Sequence, residues 1–491
     1  MRCALACACA LPALSGVSAD AAPAAPPPTP QQAPVPTPDA RPNVLFILID
    51  DMGWGDLSIM GDKKVQTPNL DKLARDGVLL TKFYDAAPIC SSSRAGFLTG
   101  RFPAEVGFVG ITASRARNAE TGQANWLAPQ LPNVARMLQD AGYATAHIGK
   151  WHLGGGRDIG DAPWPTAYGF DQSFTTFEGL GPRVLVSDKE RGLAEQSDKL
   201  GQGPRFWEIK TKLTQLYCDM TVDFVAQHSD EPWFVNLWFN DVHDPWAPDD
   251  ESLSDAMGKG TSSDDDRYLA TLVKMDRTLG KLFQRLKDMG EFDNTLIIVT
   301  SDNGPSSLQR YYRGGEQPPG SAGHLRGRKF SLYEGGIRQP LILSWPGHVK
   351  AGYRDDTTVG QGVDLLPTIA AVTGAKLPDG VDGTDLSPVL EGHAVAARPD
   401  LFWAYGKAGA KRQPRTPADP HDVSPRYAVR EGDWKLLVNA DGVDPELYNL
   451  ASDPVEAHDV AAENPRVRDS LLGKLERWTA SLGRANGTAN R

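Results

Sequence analysis

Hydrophobic positions along most of this chain alternate between two rhythms. Residues 43–49, Asn-Val-Leu-Phe-Ile-Leu-Ile, are apolar without polar alternation, as expected of a strand covered on both faces at the centre of a sheet. Thr67-Pro68 then opens a predicted helix, with threonine as cap and proline at the first helical position. It buries Leu70, Leu73 and Ala74 and stops near Gly77. The same patterns predict a helix over 131–138, a strand over 143–148, a helix over 213–225 and a strand over 233–239. Leu272, Met275, Leu279, Leu282 and Leu286 share one helical stripe that stops at Gly290, after an acidic segment at 262–266. A β-branched strand over 295–300, a strand over 340–345 and a helix near 363–372 follow. Strands alternating with helices predict an α/β fold: a large, mostly parallel sheet sandwiched by helices.

Two stretches break the rhythm. Residues 154–204 are rich in glycine, proline and charge without a period, so they read as long loops shaping a pocket rim. Residues 376–398 turn repeatedly on glycine and proline, which marks the exit from the main domain. Beyond them, hairpin-like alternation at 427–430, 434–438 and 446–450 and a last helix from about Asn464 predict a smaller C-terminal α+β domain. The expected division is 42–385 for the main domain and 386–491 for the small one, since a single core stops growing near ~250–300 residues and the chain has 491.

Composition changes the picture at the N-terminus and in the charge. Met1-Arg2, an apolar run from Cys3 to Leu14 and small residues around Ala19 predict a signal peptide over 1–20. Residues 21–41, Ala/Pro/Gln-rich, predict a disordered spacer. The protein is therefore expected to be exported, to a periplasm or the medium, with lipid attachment at Cys7 or Cys9 a weaker alternative. The apolar run is too short for a transmembrane segment. Of five cysteines only Cys90 and Cys218 lie beyond the signal; both are expected unpaired, with Cys218 in the core. The net charge of −11 argues against nucleic acid as a partner but leaves room for a small anionic substrate in a locally cationic pocket.

Polar residues follow four of the predicted strands, and in α/β sheets ligands bind at such strand ends. Asp50-Asp51 follow the first, Lys150 and His152 the strand over 143–148, His243 the strand over 233–239, and Asp302-Asn303 the strand over 295–300. Three carboxylates and an amide oxygen suit Ca²⁺ or Mg²⁺ rather than zinc. Taken singly, Asp50-Asp51 also reads as a cap and Asp302-Asn303-Gly304 as a turn. Cys90 precedes Ser91-Ser92-Ser93-Arg94 at a predicted helix start, where the macrodipole and a guanidinium favour anions; a buried structural cysteine is the plainer alternative. With Lys150, Lys329, His152 and His243, the set suits cleavage of an oxyanion ester.

The order of these pieces resembles the type I sulfatase family of the alkaline-phosphatase-like superfamily, the formylglycine-dependent arylsulfatases. The residues that carry the resemblance are Leu48-Ile49-Asp50-Asp51-Met52-Gly53, Cys90 to Arg101, Gly149-Lys150-Trp151-His152, His243, Ser301-Asp302-Asn303-Gly304, Lys329 and Tyr333-Glu334-Gly335-Gly336-Ile337-Arg338. By that resemblance, a maturation enzyme would oxidise Cys90 to formylglycine. One Ca²⁺ would sit on Asp50, Asp51, Asp302, Asn303 and residue 90. Arg94 and Lys150 would steady the hydrated aldehyde; Lys150, Lys329 and His243 would hold the sulfate. His243 or Lys329 would assist the leaving oxygen, and His152 would take the hydroxyl proton as sulfate is expelled. The family's modification signal carries proline or alanine two residues after the cysteine, where this chain has Ser92. The expected reaction is hydrolysis of a sulfate monoester of a carbohydrate or an aryl alcohol, with the loops at 158–204 and 249–266 choosing the alcohol. The alternatives are a phosphodiesterase or phosphonate monoester hydrolase of the same superfamily, and a non-catalytic sulfated-glycan-binding protein.

Overall fold

The chain's structure is a computed structural model that describes residues 41–188, 191–311, 318–395 and 398–485. The expected signal peptide lies outside the described residues, as does the expected spacer apart from Arg41. In chain order the strands of the main sheet are β1 (Asn43–Ile49), β2 (Val78–Tyr84), β3 (Ala144–Lys150), β4 (Gln172–Thr176), β5 (Arg183–Val186), β6 (Arg205–Glu208), β7 (Trp233–Trp238), β8 (Thr295–Ser301), β9 (Arg338–Ser344), β10 (Tyr353–Asp355) and β11 (Gly360–Gln361). Their spatial order is β10-β2-β9-β8-β1-β7-β3-β4-β5-β6, with β11 beside β2. Pairing is parallel throughout except at β9, which runs against both β2 and β8.

β1 sits where its apolar run predicted, between β7 and β8, with all seven residues buried. Alternate side chains enter two different cores. Leu45, Ile47 and Ile49 join one, Val44, Phe46 and Leu48 the other. The first core is roofed by α1 (Pro68–Asp76), α3 (Leu213–Gln227) and α4 (Ser263–Asp288), and it also contains Cys218. The second holds α2 (Cys90–Thr99) through Ala95, Phe97 and Leu98. Sandwiching of the sheet between these two layers bears out the expected architecture, and both Cys90 and Cys218 are free and buried.

α4 buries the predicted stripe Leu272, Met275, Leu279, Leu282 and Leu286. The acidic segment does not precede this helix but forms its first turn: the Ser262 hydroxyl accepts from the Asp265 amide, and Asp264 to Asp266 face the positive end of the dipole. Thr67 caps α1 by position only, because its hydroxyl donates to the Asp71 carboxylate. The largest correction falls at 154–204, expected as loops. This stretch contains β4, β5 and the helix Arg191–Lys199, and β6 follows directly. These short strands build the flank of the sheet beyond β3, where mixed composition replaces the apolar run that marks a central strand. β2 was not expected either, though Val78 to Tyr84 is almost wholly buried.

The smaller sheet is antiparallel, β12 (Leu401–Ala404), β13 (Tyr427–Glu431), β14 (Trp434–Val438) and β15 (Glu446–Asn449), in that order. One face packs Val429, Leu436 and Leu447 on Leu471, Leu475 and Trp478 of α5 (Pro465–Ala485), as the last helix predicted. The other face, through Ala428, Leu437 and Tyr448, joins a core that contains Leu332, Tyr333 and Cys90. The small sheet therefore backs the segment that carries the cysteine. No helix among the described residues is long and apolar enough to cross a membrane.

Candidate active site

Because β1, β3, β7 and β8 are mutually parallel, their C-terminal ends share one edge of the sheet. β2, antiparallel to the same neighbour as β8, ends there too and leads within six residues to Cys90, the first residue of α2. Backbone geometry aims the side chains. Asp51 adopts φ 64°, a left-handed conformation that aspartate tolerates better than most residues, and His152 adopts φ 57°. Gly149 has φ 112°, and a Cβ there would lie 2.0 Å from the Trp238 carbonyl oxygen, so only glycine lets β3 deliver Lys150 so close to β7.

Lys150 Nζ lies 2.5 Å from Asp50 Oδ2. Lys329 donates to Asp51 Oδ1, and its ammonium is 3.4 Å from Cys90 Sγ. Arg94 donates through Nε and Nη2 to Asp302 Oδ2, at 2.9 and 2.7 Å, and through Nη1 to the Lys150 carbonyl at 2.8 Å. Asn303 Nδ2 donates to Asp51 Oδ1 at 2.7 Å. His243 Nε2 is 3.7 Å from Asp51 Oδ2, and its Nδ1 is 2.6 Å from the Asp244 carbonyl oxygen. His152 Nε2 stands 3.8 Å from Glu178 Oε2. Every residue singled out from the sequence thus lies in one cluster. Asp50, Cys90, Lys150, His152, His243 and Lys329 line a pocket of about 710 Å³, and Arg94 is buried behind it against Asp302.

Three buried oxygens in this cluster have no hydrogen-bond partner among the described residues: Asp50 Oδ1, Asp51 Oδ2 and Asn303 Oδ1. Buried acceptors are ordinarily satisfied, so three orphans together call for a cation. Ligand atoms of Asp50, Asp51 and Cys90 lie within 4.8 Å of one another; the carboxylates, with the Asn303 amide, offer hard oxygen, and Cys90 offers sulfur as the unmodified thiol. The residues fit a hard divalent ion. Asp302 differs from the other three, since Oδ2 is held by Arg94 and Oδ1 accepts the Asp51 amide at 3.3 Å.

The charges are strongly coupled. Burial opposes ionisation of Asp50, but the Lys150 ammonium, with His243 and Arg94, outweighs it and holds the carboxyl far below its ordinary range. Burial likewise opposes Asp51, and Lys329 overcomes it. At Asp302, burial and the Asp50 charge prevail over Arg94 and push the carboxyl up to about 6. Burial pushes the Cys90 thiol up to about 11 in spite of Lys150 and Lys329, so the thiol is neutral at pH 7 and the helix start does not make it a thiolate. Burial also lowers His243 to about 4 and takes His152 well below its ordinary value.

Two family profiles match the chain: Sulfatase over residues 42–375, and N-sulphoglucosamine sulphohydrolase, C-terminal, over 324–480. This chain belongs to the sulfatase family. It is a sulfuric ester hydrolase by that membership. The sulfatase is 31% identical over 481 residues to human arylsulfatase A, covering 88% of this chain and 86% of that protein. It is 35% identical over 380 residues to rat N-acetylgalactosamine-6-sulfatase, covering 74% and 68%. Among solved structures it resembles Ps i-CgsB in complex with k-i-k-neocarrahexaose, with a TM-score of 0.72, 26% identity and coverage of 90% and 93%.

The sulfatase pocket also contains residues that the sequence did not single out. Glu178, beside His152, accepts from Arg157 Nε at 2.7 Å and from the Thr112 hydroxyl at 2.6 Å. Arg310 pairs with Asp244, and Lys210, Arg267 and Arg415 also face the pocket. Asp244 adjoins His243 and was within reach of the same strand-end reasoning. The others lie on loops, on β6's exit and on an amphipathic helix, and no motif marks them.

Proposed function

We propose that the sulfatase hydrolyses a sulfate monoester of a carbohydrate, using residue 90 as formylglycine and one Ca²⁺. The observation that carries this reading is the convergence of Cys90, Lys329 and three unpartnered buried oxygens at one sheet edge. Asp50, Asp51, Asn303 and residue 90 would hold the ion, with Asp302 completing the set from its Arg94-bound carboxylate. When bound, Ca²⁺ supplies positive charge to sulfate oxygens and relieves the repulsion between the carboxylates. A hydrated aldehyde supplies an oxygen nucleophile and keeps a second hydroxyl through which sulfate can leave without water attacking sulfur.

The remaining work falls to side chains of this chain. Arg94 and Lys150 orient the residue 90 oxygens, with Arg94 itself fixed by Asp302 and the Lys150 carbonyl. Lys150, Lys329 and His243 hold the sulfate, and the Lys329 ammonium, kept charged because Asp51 outweighs burial, is one candidate to protonate the leaving oxygen. His243, held at Nδ1 by the Asp244 carbonyl, is the other, and serves as the acid once Nε2 is protonated as well, a state that the charge of a bound sulfate favours. His152, neutral, with both ring nitrogens unpartnered and Glu178 beside it, is the base for the hydroxyl proton. Ser92 Oγ donates to the Gly110 carbonyl at 2.7 Å, so the residue that departs from the family's signal is accommodated in the folded chain. We assign residues 42–385 to the catalytic part and 386–491 to the smaller subdomain, with export directed by residues 1–20 and maturation by a formylglycine-generating enzyme.

Relatives named N-acetylgalactosamine-6-sulfatase and a neighbour in complex with k-i-k-neocarrahexaose support a sulfated carbohydrate as substrate class. The test is protein made with a competent maturation system. The Cys90 peptide is expected to carry an aldehyde by mass spectrometry, and aryl sulfate is expected to be turned over in preference to aryl phosphate diester. Only unmodified thiol, or preference for the diester, would overturn the reading.

A further inference from the structure

The positive charges of the pocket fall into two groups. Those at its floor are matched: Lys150 by Asp50, Lys329 by Asp51 and Arg94 by Asp302. Two on the walls are matched as well, Arg157 by Glu178 and Arg310 by Asp244. Three others line the same pocket with no carboxylate partner among the described residues, Lys210, Arg267 and Arg415. Among the described residues Lys210 Nζ donates only to the His243 carbonyl, at 2.8 Å, and Arg267 Nη2 to the Trp246 carbonyl, at 2.9 Å. Arg415 makes no hydrogen bond or ion pair among the described residues; it is exposed on the loop between β12 and β13. Its charge reaches Tyr405, whose ring stacks 6.5 Å from Phe330 on the pocket wall. Asp264 also faces the pocket and forms no ion pair with any of the three.

A single sulfate ester carries one negative charge, and the floor already supplies its cations. Three further cations lining the same pocket from three separate segments exceed what that group requires. We propose that the alcohol released by this sulfatase carries a second anionic group, a carboxylate or another sulfate, bound by Arg415 together with Arg267. This rests on the sulfate-monoester reading and narrows it to polyanionic glycans. Arg415, a planar fork free of internal partners and reached from the small sheet, is the principal determinant.

Competition against aryl sulfate turnover by the mature, Ca²⁺-loaded enzyme tests this. The competitors are disaccharides with one sulfate and a uronate carboxylate, with one sulfate and that carboxyl reduced to an alcohol, and with two sulfates and the carboxyl reduced. Doubly charged members are expected to inhibit at concentrations at least about tenfold lower than the singly charged one, the scale of a charge-assisted hydrogen bond. In Arg415→Ala the advantage is expected to shrink to less than about threefold, with Arg267→Gln giving a smaller loss. An advantage for the uronate alone identifies a carboxylate, and for the disulfate alone a second sulfate. Equal inhibition by all three in the wild type, or an advantage that survives in both variants, would overturn the proposal. Failure of the aryl sulfate reaction itself would instead count against the proposed function, and direct calorimetric titration of the same disaccharides would still read the second-anion preference.

Discussion

Two clusters of buried charge lie close together in this protein, and they handle that charge in opposite ways. At the active-site edge, Asp50, Asp51 and Asn303 retain buried oxygens without partners even though three cationic side chains are present. At the junction of the two sheets, Lys435 lies 2.9 Å from both Glu334 and Glu456. There Tyr84 donates to Glu334 at 2.5 Å, Arg430 donates to Tyr84, and the Glu334 amide donates to Glu456 at 2.7 Å. Glu456 Oε1 meets Lys435 as an ion contact without an aligned hydrogen bond. The junction closes on itself, whereas the active site stays electrostatically incomplete until an ion and an anion enter. Burial of charge alone does not mark a functional centre; unfilled coordination does.

The comparison yields graded expectations. Cys90→Ala is expected to lower aryl sulfate kcat/KM by about 10⁴-fold or more, the scale of losing a nucleophile, with little change in thermal stability. Lys435→Met should leave two buried carboxylates facing each other and cost about 3–5 kcal/mol in chemical denaturation, while the calcium response of the surviving folded protein is retained. Chelation should act on the other cluster. Removing Ca²⁺ is expected to abolish activity and lower Tm, with both restored on adding the ion back, and Asp51→Asn is expected to lose the Tm response. If Glu334→Gln lost the calcium response as fully as Asp51→Asn, the two clusters would not be separate.

The smallest expected effect concerns pH. Burial, opposed by Lys435, pushes Glu456 up from 4.5 to about 7, so the folded chain binds this proton more tightly than the unfolded one. Its contribution to stability is full below about 4.5 and is lost as pH rises through 7. Glu334 is opposite in sign. Burial is outweighed by Lys435 and Arg338, which bring it down to about 2, and its contribution is lost only as pH falls through 2. Glu456→Gln is therefore expected to flatten the decline in Tm between pH 5 and 7, and an unchanged slope would contradict the assignment.

How much of this was legible beforehand depended on whether a residue's environment is local in sequence. β1, apolar after Asn43, and β8, with its apolar run Leu296 to Val299, announced a central sheet and put Asp50 and Asp302 at its edge. β4, β5 and β6 did not, because flanking strands of four or five residues carry no period long enough to read. Within the site, Asp302 counted as a free ligand on sequence alone, and only the fold shows Arg94 holding one of its oxygens. Glu334-Gly335-Gly336, part of the family signature, proves architectural. Glu334 anchors the closed junction, and a Cβ at Gly335 or Gly336 would lie 2.2 Å from the Gly327 carbonyl oxygen or 2.1 Å from that of Ser331. Arg415 and Arg267 were invisible because a pocket wall assembled from distant segments leaves no spacing to recognise.

The central claim is that the unpartnered oxygens of Asp50, Asp51 and Asn303 are a cation site. Calorimetric titration of chelator-treated protein with Ca²⁺ tests it most directly. The expected result is one ion bound per wild-type chain and none by an Asp51→Asn, Asn303→Ala double variant that keeps its fold by circular dichroism. Folded wild-type protein that takes up no divalent ion, or a double variant that binds it as tightly as wild type, would contradict the account.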